Sequence, residues 1–261
     1  MVKRVLLVLL WLAVWASASG SQTFAFRASK MLQTGKFAQS YALFERALLE
    51  SRKESDLLSE GRVLIAMAKI RTQSLEFTVA GEFLAQVRES ALDLNGKMAL
   101  LDAKLSLLNE QGKYQDAVAL WRSVPNATVS KASDLLQGNL QCEAALAYAG
   151  AGDTVNANKR FDEAEDLLDG DAPGRLAFAR GRASALNGEK EKADSLYAVA
   201  EKSSIAAGNS YMTATILYYR GSLSPEKSAS QDRFLRSANA FELLGLPNNQ
   251  HRSEKLLNIK R

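Results

Sequence analysis

Residues 112–121 read GKYQDAVALW, and residues 35–44 read GKFAQSYALF. Both open on glycine and lysine, place an aromatic next, and set a small residue four positions ahead of a large aromatic one. The likeness extends to five places. With anchors at Gly35, Leu75, Gly112, Gly152 and Gly188, the steps are 40, 37, 40 and 36 residues. Five residues after each anchor stands Ser40, Ala80, Ala117, Ala157 or Ala193. Four further stands Phe44, Leu84, Trp121, Phe161 or Tyr197, and three beyond that Ala47, Val87, Val124, Ala164 or Ala200. Offsets of four and three share one face of a helix. A small residue there lets a neighbouring helix approach, and the large one fills the space beside it. A unit repeated at this period buries its apolar face only against the next copy, so the chain is constrained to a stack of helix pairs.

Ahead of the anchors lie amphipathic segments at 57–71, 98–111, 135–149 and 176–187, with Leu and Ala recurring at three and four. The turns between are glycine-led, as at Thr34-Gly35-Lys36 and Ala151-Gly152-Asp153. A glycine just past a helix end takes the left-handed conformation that closes it. Residues 123–130, 169–173 and 207–210 read as the connections between units, and Pro173 and Pro225 suit the first turn of a helix. No segment shows the alternation of a strand.

These residues resemble the tetratricopeptide repeat family. The resemblance rests on Gly35/Phe37 and Gly112/Tyr114, the small residues Ala117, Ala157 and Ala193, the aromatics Phe44, Trp121, Phe161 and Tyr197, and the small residues Ala28, Ala68, Ala145 and Gly181 of the first helices. It covers residues 24–245. It departs from the family in units longer than 34 residues, in Leu75 at a turn glycine position, and in Thr154 and Lys190 at the turn aromatic. The expectation is an all-α solenoid of five to six antiparallel helix pairs with a C-terminal capping helix over 252–260. A degenerate sixth unit carries Ser237, Phe241 and Leu244 on its stripe.

The first residues follow another pattern. Lys3 and Arg4 precede an apolar run over 5–16 and then Ala16-Ser17-Ala18. The run is well short of the roughly 20 residues that span a bilayer, so it reads as a secretory signal cleaved near Ala18. This divides the chain into a signal at 1–18, a repeat array at 19–245, and a cap and tail at 246–261. Removing the signal lowers the formal net charge from +4 to +2. With no dense basic run, nucleic acid is excluded as the partner. The expected location is the periplasm or cell envelope, with no membrane span in the mature chain.

Little supports chemistry. His251 is the one histidine and lies in the polar run 248–252. Cys142, the one cysteine, sits mid-helix and forms no intramolecular disulfide. No nucleophile and base pair is therefore expected, and no metal or cofactor. The acids over 162–171 read as a solvated helix face. No phosphate-binding glycine motif occurs. Asn126-Ala127-Thr128 matches a glycosylation sequon, relevant only in a eukaryotic secretory route.

What remains is the inner surface of the curved stack, lined by the first helix of each unit. Helix register points inward Arg62, Ile65 and Lys69; Asp102, Ser106 and Asn109; Asn139, Cys142 and Leu146; and Arg175, Phe178 and Arg182. The resemblance implies that this groove holds segments of partner proteins. Its candidate residues are Arg62, Lys69, Asp102, Asn109, Asn139, Arg175, Phe178 and Arg182, and its arginines suit an acidic segment. The expected function is a monomeric, non-enzymatic interaction scaffold. Two alternatives stand beside it. One is an envelope subunit working through its convex face or termini. The other is a cell-wall polymer binder, with Phe178 and Tyr148 stacking on sugars.

Overall fold

A computed structural model of the chain describes residues 20–33, 35–168 and 173–259. The signal expected at 1–18, most of the connection at 169–173, and residues 260 and 261 of the tail lie outside them. Six helix pairs follow one another: α1 (Gly20–Gln33) with α2 (Phe37–Lys53), α3 (Leu57–Gln73) with α4 (Phe77–Gln86), and α5 (Leu94–Glu110) with α6 (Tyr114–Arg122). A four-residue helix, α7 (Asn126–Val129), fills the connection to the fourth pair. Then come α8 (Asp134–Gly150) with α9 (Thr154–Leu168), α10 (Pro173–Leu186) with α11 (Lys190–Ala206), and α12 (Ser210–Leu223) with α13 (Lys227–Leu243). The cap is α14 (Pro247–Ile259). No strand occurs among the described residues.

Local chemistry sets the ends of these helices. Asp56, Asp93 and Asn209 precede α3, α5 and α12, and each side chain accepts a hydrogen bond from a backbone N–H of the first turn. All five anchors have positive φ, between 61° at Leu75 and 83° at Gly152. The Lys113 N–H donates to the Leu108 carbonyl and the Gly112 N–H to that of Asn109. At Leu75 the same two bonds recur, from Glu76 to Arg71 and from Leu75 to Thr72. The helix ending is kept there, and a leucine bears the left-handed backbone.

The repeated stripe is the core. Ser40, Ala80, Ala117, Ala157 and Ala193 are buried, as are Phe44, Leu84, Trp121, Phe161 and Tyr197. The small residues allow close approach: the Ser40 hydroxyl donates to the Ala28 carbonyl at 2.8 Å. A Cβ on Gly181 would lie 2.7 Å from the Tyr197 ring. In the sixth pair the stripe begins a heptad earlier than Ser237. Ser230 and Phe234 are buried against Gly221 of α12, and Ser237 and Phe241 continue the same face. The turn before α13 is short and lacks the positive φ of the others, which is why the spacing obscured it.

The stack closes on itself. One core unites Ala28, Phe37 and Phe44 of the first pair, Val63, Met67 and Ile70 of α3, Ala214 of α12, Phe241 of α13 and Leu246 beside the cap. The Phe37 and Tyr211 rings lie 5.3 Å apart. The cap begins five residues before the expected 252, and its buried face is largely polar: Leu246 leads into Asn249 and Ser253. Asn249 and Asn248 donate to the Gln73 and Ser74 carbonyls at 3.0 and 3.1 Å. These carbonyls end α3 and have no partner within the helix, so the cap supplies one.

Candidate functional site

Closure turns the inner surface into a central cavity of about 280 Å³. First helices supply most of its wall: Lys69 from α3, Ser106 and Glu110 from α5, Cys142, Glu143 and Leu146 from α8, and Arg175, Phe178 and Arg182 from α10. Tyr211, Thr215 and Tyr219, spaced by four along α12, form the far side with Arg252 of α14.

Of the residues selected from sequence, Lys69, Arg175, Phe178 and Arg182 meet in this wall. Asp102 and Asn109 are buried behind it, each 1% exposed. Asn139 is buried farther along α8 and its Oδ1 has no hydrogen-bond partner among the described residues. Arg62 is exposed, pairs with Asp93 at 2.7 Å, and borders a separate surface depression beside α1. Ring faces expected to be free for sugars are engaged. Phe178 packs on Tyr197 and Tyr219 at 5.8 and 5.7 Å, and the Arg122 guanidinium lies over the Tyr148 ring.

The charges are unevenly satisfied. Lys69 donates to Asp102 at 2.6 Å, and Arg182 donates to Glu110. Burial works to raise the Asp102 carboxyl, but the Lys69 and Arg175 charges outweigh it and hold it below the usual range. Glu143 goes the other way. Burial in the wall, then the nearby Asp102 charge, push its carboxyl up, although Asn109 donates to it at 2.9 Å. Arg175 has no ion-pair partner among the described residues. Arg252 stacks on Tyr218 at 4.1 Å, and its Nε is buried without a hydrogen-bond partner among the described residues.

Nucleophilic chemistry finds no support here. Burial pushes the Cys142 thiol up to about 12, so it stays protonated at neutral pH. His251 is exposed on α14. Among the described residues, no group of three or more metal-ligating side chains is assembled, and no helix is long and apolar enough to cross a membrane. The arrangement is suited to binding an anionic group, held by fixed cations in a partly apolar chamber.

Sequence reasoning passed over Glu110, Glu143, Tyr211, Tyr219 and Arg252. Glu143 adjoins Cys142, and a one-residue widening of the inward face would have included it. On α12, Tyr211, Thr215 and Tyr219 fall at i, i+4 and i+8, a signal available once the sixth pair is counted as a full unit.

No family model matches the chain, and no curated protein matches it. Solved structures do. A Rap protein complexed with Competence and Sporulation Factor matches with a TM-score of 0.62 at 12% identity, over 95% of this chain and 80% of that one. A tetratricopeptide repeat protein from Parabacteroides merdae matches over 92% of this chain and 98% of that one, at 14% identity and a TM-score of 0.44. At such identity the first of these speaks for the fold, and with the six stacked pairs and their glycine-closed turns it makes this chain a tetratricopeptide-like α-solenoid.

Proposed function

We propose that the protein is a non-enzymatic, monomeric interaction scaffold of the periplasm or cell envelope that takes an acidic segment of a partner protein into its central cavity. The observation that carries this is Arg175, a cation in the cavity wall that forms no ion pair among the described residues, although it acts at longer range on Asp102 and Glu143. Arg175 is half-buried, and a carboxylate meeting a partly desolvated arginine contributes more than an exposed pair does. Lys69, Arg182 and Arg252 add positive potential around it. A cavity of about 280 Å³ admits a chain end or a few residues rather than a folded element. The Rap protein complex offers a solenoid of this fold holding a factor. The apolar run over 5–16 and Ala16-Ser17-Ala18 motivate the assignment to an exported compartment.

The test is capture of a partner from envelope extract, then titration of that partner at two ionic strengths against wild type and Arg175→Ala. Arg175 is the residue to change, because removing Arg182 would leave Glu110 without its cation. Binding weaker by about tenfold in the variant, and weaker with added salt, is expected. Equal affinity in all four measurements would exclude the cavity as the docking site and return weight to the convex face.

A further inference from the structure

The pattern of charges in the cavity says more than that an anion fits. This step rests on the reading that the cavity is where a ligand docks; it does not require the ligand to be a protein. Three of the six lining charges are neutralised internally, Lys69 by Asp102 and Arg182 and Glu110 by each other. Three are not. Arg175 and Arg252 have no ion-pair partner among the described residues, and Glu143 has no cation within pairing distance there. Glu143 and Arg175 influence one another electrostatically, yet they do not form an ion pair. Each sits on its own helix, α8 and α10, held by the buried stripes of separate pairs. The gap between a carboxylate acceptor and two guanidinium donors is therefore built into the stack.

We infer that the cavity recognises a small zwitterion carrying one primary ammonium and two carboxylates: an acidic α-amino acid, or a dipeptide with an acidic first residue whose C-terminus supplies the second carboxylate. The ammonium meets Glu143, and the carboxylates meet Arg175 and Arg252. Two uncompensated cations and one uncompensated anion are matched in number and sign by such a ligand. A simple dicarboxylate would leave Glu143 facing a second negative group, a repulsion that works against binding. An ammonium beside Glu143 also offsets the repulsion from Asp102 that raises the Glu143 carboxyl. The other groups facing Glu143 are Asn109, which already donates to it, and Arg182, which is committed to Glu110. The apolar part of the wall, Leu146, Phe178 and Met212, accepts the methylene stem.

Calorimetric titration of the purified protein tests this with four probes: L-glutamate, the dipeptide glutamyl-glycine, N-acetyl-L-glutamate and glutarate. The two amino-bearing probes should bind at least about tenfold more tightly than the two without an ammonium. Comparison of the first two tells a free amino acid from a peptide end. Glu143→Gln should abolish the preference for the free ammonium while leaving glutarate binding no weaker. Arg175→Ala should weaken every probe. Equal affinity for L-glutamate and its N-acetyl form on the wild type would overturn the inference while leaving the acidic-segment reading intact. Absence of binding by all four probes would also overturn it, and the partner titration against Arg175→Ala would then decide the scaffold reading separately. The probe comparison is made on the wild-type protein, so it stands even if a variant fails to fold.

Discussion

The side-chain amide of Asn249 donates to the backbone carbonyl of Gln73 at 3.0 Å, across 176 residues of chain. It joins the cap to the end of α3, with Asn248 and Tyr211 adding bonds to Ser74 and Gln73. Asn249 is 1% exposed, so truncation removes a buried side-chain bond and leaves the Gln73 carbonyl with only the longer 3.3 Å bond from Tyr211. Asn249→Ala should destabilise the closed form by about 1–3 kcal/mol. Hydrogen exchange should accelerate at the end of α3 and in α14 and stay unchanged in α8 and α9. Loss of protection spread evenly over all pairs would argue against a local clasp.

Trp121 is 4% exposed between Ala117 and Val124, with the Arg160 guanidinium 5.8 Å from its ring. Trp121→Ala should cost about 3–5 kcal/mol. A denaturation midpoint equal to the wild type would place the ring outside the core.

Gly112 has φ 72°, and a Cβ built on it meets nothing within 4 Å. Gly112→Ala therefore reads the backbone alone and should cost about 1 kcal/mol. Leu75 already bears this conformation at φ 61°. Leu75→Gly should recover part of that strain, offset by a more flexible unfolded chain. Thermal melts of both variants check the contrast, and an unchanged midpoint in Gly112→Ala would count against it.

Glu143 and Asp102 should give opposite pH signatures. The folded carboxyl of Glu143 is raised, so the folded state binds its proton more tightly than the unfolded state does. Its contribution is present at low pH and lost as pH rises through the folded value. Glu143→Gln should match wild type at pH 4 and melt about 2–4 °C higher at pH 7. The Asp102 carboxyl is lowered, so its contribution is present at neutral pH and lost as pH falls below its ordinary 3.8. Asp102→Asn should melt lower than wild type at pH 7, and the difference should shrink in acid. Parallel profiles for the two variants would refute the assignment.

The two-helix unit was legible because it is periodic. Ala117, Trp121 and Val124 announce a buried face by spacing alone, and even Leu75 could be assigned to its turn by counting. The cavity was legible only in part. Lys69, Arg175 and Arg182 follow from helix register within a unit. Their partners do not: Arg182 finds Glu110 across 72 residues, and Lys69 finds Asp102 across 33. Such pairings depend on the rotation from one pair to the next, a quantity that period does not contain. Closure was invisible for the same reason, since Asn249 reads locally as a polar residue of a terminal helix.

That closure has an evolutionary meaning. An open array can lengthen by duplicating a unit, because a new copy needs only the neighbour it was copied from. Here Phe37 and Tyr211 already occupy each other, and the first and last pairs share a single core. An inserted copy would pry those ends apart, and a deleted one would leave them unable to meet. The number of units is thereby locked by the geometry of the circuit, so a closed stack of this kind tolerates exchange of side chains within its pairs far better than gain or loss of a pair.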